Sequence, residues 1–148
     1  MAIQTLLSRR STLAILGSDA SPATLAATYG AGGTSDAVDA NGLEFVTFWV
    51  YVDSKSTAAE LYAQILTSPS GDTATATDWS VLRGETYASG TATLAPYEAK
   101  DTAIASVSVD PTLVFELTIP TRGRSFFQVR LRSDSGTPTA HVVASGGA

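Results

Sequence analysis

From residue 41 onwards the chain is a succession of short runs in which apolar and polar residues alternate with period two, each closed by Gly, Pro, Asp or Ser. A strand turns successive side chains to opposite faces, so this period predicts β-structure. The most apolar run, 43–52, carries Phe45, Trp49 and Tyr51 on one face and Val46, Phe48, Val50 and Val52 on the other. That pattern predicts a central strand covered on both sides. The run 58–67 alternates Leu61, Ala63 and Ile65 against Glu60, Tyr62 and Gln64, and Pro69-Ser70-Gly71-Asp72 closes it as a turn. Further strands are predicted at 79–82, 86–94, 104–109, 113–119, 126–132 and 139–144.

Residues 1–41 are less regular: short apolar stretches around Ile3 and Leu13 lead into Ser-, Ala- and Gly-rich sequence ending in Gly32-Gly33-Thr34-Ser35. This composition predicts an extended N-terminal arm over 1–41, followed by one β-sandwich domain over 42–148. The longest stretch with any helical period is 21–27. Many short strands with regular turn signals give the fold class: all-β, an antiparallel β-sandwich or jelly roll.

Register can be argued for one pair. The strands flanking Thr121-Arg122-Gly123-Arg124-Ser125 read as a hairpin, and directly opposed residues in a hairpin share a face. Centring the turn on Gly123 sets Ile119 opposite Phe127, Leu117 opposite Val129 and Phe115 opposite Leu131. The same register predicts a Glu116–Arg130 ion pair.

Composition narrows the function. At 148 residues the chain suffices for a single core, since a domain of this size buries roughly two thirds of its unfolded surface. It is 44% hydrophobic and only 16% charged, so its surface must be largely hydroxyls, small side chains and backbone. The absence of Cys excludes thiol nucleophiles and Cys-based metal centres. A net charge of −5 argues against nucleic-acid binding through phosphate neutralisation. Charge is uneven, however: residues 122–148 hold Arg122, Arg124, Arg130 and Arg132 against Asp134 alone. Arg9-Arg10 precedes an apolar run, but that run stops at Gly17-Ser18-Asp19, too soon for an export signal. No run approaches the ~18 apolar residues of a membrane span.

Candidate chemistry is sparse. His141 has no evident nucleophile or carboxylate partner in sequence, so it is expected on a solvent or interface face rather than in catalysis. Asp36, Asp39, Asn41 and Glu44 loosely suggest a calcium loop but miss the required spacing, and Asn41-Gly42 is explained as a turn. Trp49, Tyr51, Tyr62, Trp79, Tyr87 and Tyr97 could include a sugar-stacking platform. In this reading Trp49 and Tyr51 belong to the core, leaving Tyr62, Tyr87 and Tyr97. Arg130 is expected to be held by Glu116, with Arg122 and Arg124 free at the hairpin tip as a docking feature. The sequence therefore predicts no catalytic residue, no cofactor and no metal.

The closing stretch, Ser125-Phe126-Phe127-Gln128-Val129-Arg130-Leu131-Arg132 through Thr139-Ala140-His141-Val142-Val143-Ala144, resembles the final strands of small β-sandwich structural proteins of tailed bacteriophages. With no Cys and an Ala/Thr/Ser/Gly-rich N-terminal segment, the chain is similar to their capsid decoration (cement) proteins. The resemblance implies a homo-oligomer, often a trimer, on the exterior of the virion head. Its expected partner is the major capsid protein or another virion protein, without direct contact to nucleic acid or membrane. The residues expected at interfaces are Ile3, Leu6, Leu7, Arg9 and Arg10 of the arm and Arg122 and Arg124 of the tip, because short apolar stretches cannot be buried by the arm alone. The alternative is a carbohydrate-binding or adhesin-type sandwich module.

Overall fold

The computed structural model describes residues 3–5, 12–54, 60–72, 78–88, 91–94, 103–106, 114–134 and 136–147. Its strands are β1 (Ile3–Thr5), β2 (Thr12–Leu16), β3 (Ala23–Thr24), β4 (Ala37–Asp39), β5 (Phe45–Ser54), β6 (Glu60–Ser68), β7 (Ser80–Ala88), β8 (Thr91–Leu94), β9 (Ala103–Ser106), β10 (Val114–Pro120), β11 (Phe126–Ser133) and β12 (Thr139–Gly147). They form two sheets. The larger has the order β1-β4-β11-β6-β7-β8, with β9 also on β6; the smaller has the order β10-β5-β12-β2, with β3 also on β12. All pairings are antiparallel except β1 with β4. The expected all-β sandwich is what the chain builds.

Its core comes from the inward rows of both sheets. The smaller sheet contributes Val46, Phe48, Val50, Leu117, Ile119, Val142 and Ala144, and the larger contributes Leu61, Ala63, Ile65, Phe127, Val129 and Leu131. β5 occupies the central position predicted for it. It is covered on one side only: Val46, Phe48, Val50 and Val52 are buried, whereas Phe45 is 44% exposed and Trp49 and Tyr51 are half-buried on the outer face.

The N-terminal segment corrects the expectation of an arm. It enters both sheets: β1 pairs with β4 and β4 with β11 in the larger, while β2 and β3 flank β12 end to end in the smaller. Ile15, Leu16, Leu25 and Val38 are core residues. The segment 21–27 contains β3 rather than a helix, and the Leu25 amide donates to the Pro138 carbonyl at 2.9 Å. One of its glycines serves close backbone approach. A Cβ on Gly33 would lie 2.3 Å from the Leu131 carbonyl oxygen, so only glycine lets this segment run against β11.

The predicted hairpin is also corrected. β10 pairs with β5, setting Glu116 opposite Trp49 and Leu117 opposite Phe48, whereas β11 pairs with β6, setting Arg130 opposite Gln64. The turn itself is of hairpin type: Arg122 (φ 48°) and Gly123 (φ 79°) both take the positive φ that a type I′ turn requires. The strands then separate because each flank is claimed by a different sheet. The Thr121 amide donates to Glu44 O at 2.8 Å and its hydroxyl to Leu43 O, while the Ala40 amide donates to Ser125 O at 2.8 Å. Leu117 and Ile119 do share a core with Phe127, Val129 and Leu131, but across the sandwich. The expected Glu116–Arg130 pair is replaced accordingly: Glu116 accepts from Thr118 at 2.9 Å, and Arg130 donates to Gln64.

Candidate functional site

The outer face of the smaller sheet follows from its registers. Its rows run Val114, Tyr51, His141; then Glu116, Trp49, Val143, Ala14; then Thr118, Thr47, Ser145, Thr12; then Pro120, Phe45, Gly147. At ~3.3 Å per residue and ~4.8 Å between strands, the face measures roughly 20 Å by 14 Å. Val114 (46% exposed) and Phe45 (44% exposed) stand at its two ends. Among these residues the only carboxylate is Glu116 and there is no lysine or arginine, so the face offers apolar rings, methyl groups and hydroxyls.

Hydrogen bonds fix the middle of this face. The Trp49 indole N–H donates to Ser145 Oγ at 3.0 Å, and the Thr47 and Thr118 hydroxyls lie 3.0 Å apart. Tyr51 stacks on His141, ring centroids 4.5 Å apart and planes within 5°. Cross-strand pairs of this kind each stabilise the sheet by roughly 0.2–1 kcal/mol.

Trp49 and Tyr51 are thus outward residues, contrary to the sequence-based expectation that they are core. His141 is corrected too: it points to the outer side of the sheet yet is only 6% exposed. Tyr51 covers its ring, and its Nδ1 lies 2.7 Å from Asp53 Oδ2. An ionised carboxylate only accepts, which puts the ring proton on Nδ1 in this arrangement. The carboxylate partner that the sequence could not nominate is Asp53, two residues beyond Tyr51 on the outward row of β5. Period-two spacing alone would have placed Asp53 beside Tyr51, but not opposite β12.

Three of the predicted interface residues, Ile3, Arg122 and Arg124, are among the described residues. Ile3 is 47% exposed on β1, opposite Ala37, while Leu6, Leu7, Arg9 and Arg10 lie outside the described residues. Arg122 is exposed in the turn between the sheets. Arg124 is half-buried there and lines a shallow cleft of about 350 Å³ with Thr67, Ser68, Pro69, Ser80, Gly123 and Ser125. Of the three described interface residues, Arg122 and Arg124 share this turn, whereas Ile3 lies on β1.

The remaining arginines of the cationic end are structural. Arg132 lies 3.9 Å from the Tyr62 ring centroid and donates to Ala27 O at 3.2 Å, and Arg130 lies 5.1 Å from the Tyr29 ring. Together they clamp the 25–35 segment over the larger sheet. Tyr62 is therefore covered by a guanidinium rather than open for stacking. Tyr97 lies outside the described residues, as does the side chain of Tyr87. The Trp79 indole donates to Asp72 O at 2.9 Å and ties down the turn after β6. Of the weighed calcium residues, Asp36 accepts from Gln4 at 3.1 Å and Asp39 accepts from both nitrogens of Asn41.

No protein-family model matches the chain, and no curated protein matches it in sequence.

Proposed function

We propose that the chain is a non-catalytic virion structural protein, a capsid decoration (cement) subunit that docks on the outer head shell and stabilises it. The observation that carries the reading is the outer face of the smaller sheet: its described rows hold no lysine or arginine and present Phe45 and Val114 half exposed. Burying either side chain on a partner contributes ~1.5–3 kcal/mol before ordering costs. The face covers on the order of 300 Å² in projection, well below the ~800 Å² per partner of a stable pairwise complex. Such a patch binds weakly once and firmly when repeated, which is how a homo-oligomer, most simply a trimer, would hold to a lattice of identical sites.

Ile3 and the apolar and basic residues after it (Leu6, Leu7, Arg9, Arg10), with Arg122 and Arg124 at the turn, supply contacts to neighbouring subunits in this reading. The sequence resemblance of β11 and β12 to phage sandwich proteins supports it further. The test is binding of purified chain to heads of the encoding virus from which it has been stripped. Saturable binding supports the proposal, and no binding at micromolar chain rejects it.

A second reading rests on Trp49 and Tyr51. Outward aromatics on a sheet face suit stacking on sugar rings, and a glycan-binding screen in which Trp49→Ala loses a positive signal would favour a carbohydrate-binding module instead.

A further inference from the structure

Three side chains remote in sequence meet beside β12. β2 and β3 flank this strand end to end, setting Leu16 opposite Val142 and Ala23 opposite Ala140. The connection 17–22 must therefore cross next to His141. It does so as a tight loop: Gly17 takes φ 58°, where a Cβ would lie 2.8 Å from the Ala23 nitrogen, and Ser18 and Ser21 exchange backbone hydrogen bonds of 3.0 and 3.2 Å. Asp19 sits at the tip of that loop. Asp19, Asp53 and His141 each present one donor atom, and these atoms all lie within 4.8 Å of one another.

We propose that Asp19, Asp53 and His141 form a binding site for a zinc-class divalent cation that pins the 17–22 loop to the smaller sheet. The charge balance points to a cation. Among the described residues neither carboxylate pairs with a lysine or arginine, so one imidazole faces two carboxylates. The imidazole is 6% exposed and its plane is set by Tyr51, which removes most of the ordering cost of using it as a ligand.

The donor set selects the ion. One nitrogen and two carboxylate oxygens suit zinc and its neighbours, whereas calcium takes six to eight oxygens and does not favour imidazole. Tetrahedral zinc bonds of ~2.1 Å set donors roughly 3.4 Å apart. From their present separations, all within 4.8 Å, binding requires exposed Asp19 to turn inward and the Nδ1–Oδ2 contact to open from 2.7 Å. His141 then binds through Nδ1 as its Nε2–H tautomer, and water fills the fourth position.

His141 is the only histidine in the chain, so its ring resonances report the site without ambiguity. Zinc chloride is titrated into tag-free full-length chain and followed by calorimetry and by the imidazole NMR signals. One equivalent of zinc is expected to bind, move those signals and raise the melting temperature, with chelator reversing each effect. Asp19→Asn changes an exposed side chain and leaves the metal-free protein folded as before, but should weaken binding by about tenfold or more and abolish the thermal shift. The proposal is overturned if zinc does not bind at one equivalent, if the imidazole signals do not respond, or if Asp19→Asn binds as tightly as the wild type.

Discussion

Among the described residues, Gly33 and Arg122 are two at which backbone geometry constrains the choice of side chain. At Gly33 any side chain meets the Leu131 carbonyl at 2.3 Å, and overpacking against fixed backbone costs about 1–3 kcal/mol. Gly33→Ala is expected to lower stability by that amount in urea denaturation, with an unchanged slope. Arg122 presents the opposite case. It holds φ 48° although it is not glycine, a conformation that costs an L-residue roughly 1–2 kcal/mol. Arg122→Gly relieves that strain against a smaller entropic penalty, so stability should stay level or rise by up to about 1 kcal/mol. The same variant should bind heads more weakly if the guanidinium makes a docking contact. A variant that is markedly less stable would mean that the Arg122 side chain makes an unrecognised structural contact.

Pairing decides the elements, and it separates what the sequence shows from what it hides. Truncation of residues 2–16 tests the strand status of the N-terminal segment. It removes Ile15 and Leu16 from the core, and truncating each such side chain costs ~2–5 kcal/mol against a total of 5–15. Loss of cooperative unfolding is expected; a truncated chain that melts like the full one would show that β2 is not part of the fold. The Glu116/Arg130 double-mutant cycle is expected to give a coupling energy near zero, because the residues lie in different sheets; a clear coupling would restore the hairpin. The alternation along β5 and β6 was legible because it depends on residues within one strand. The hairpin was misread because matched apolar rows look the same whether they lie side by side in one sheet or face one another across a core. Small residues hid β2 to β4: Gly33 is a demand for close approach to β11, a partner almost a hundred residues away. The Asp19, Asp53 and His141 cluster was illegible for the same reason, with each residue coming from a separate segment. The lone His was its one signal.

For the whole molecule, the proposed function places docking on the outer face of the smaller sheet, with the sandwich beneath it as support. Phe45 and Val114 contribute little to the core, so Phe45→Lys with Val114→Lys should leave the fold intact by circular dichroism and shift the melting temperature by no more than a few degrees. A large loss of stability would place these side chains in packing that their exposure does not suggest. The most direct measurement is co-sedimentation of wild-type chain and this double variant with stripped heads of the encoding virus. Under the proposed function, the wild type saturates at a fixed ratio to the major capsid protein while the folded variant stays in the supernatant. If both pellet equally, or if neither does, docking through this face is contradicted.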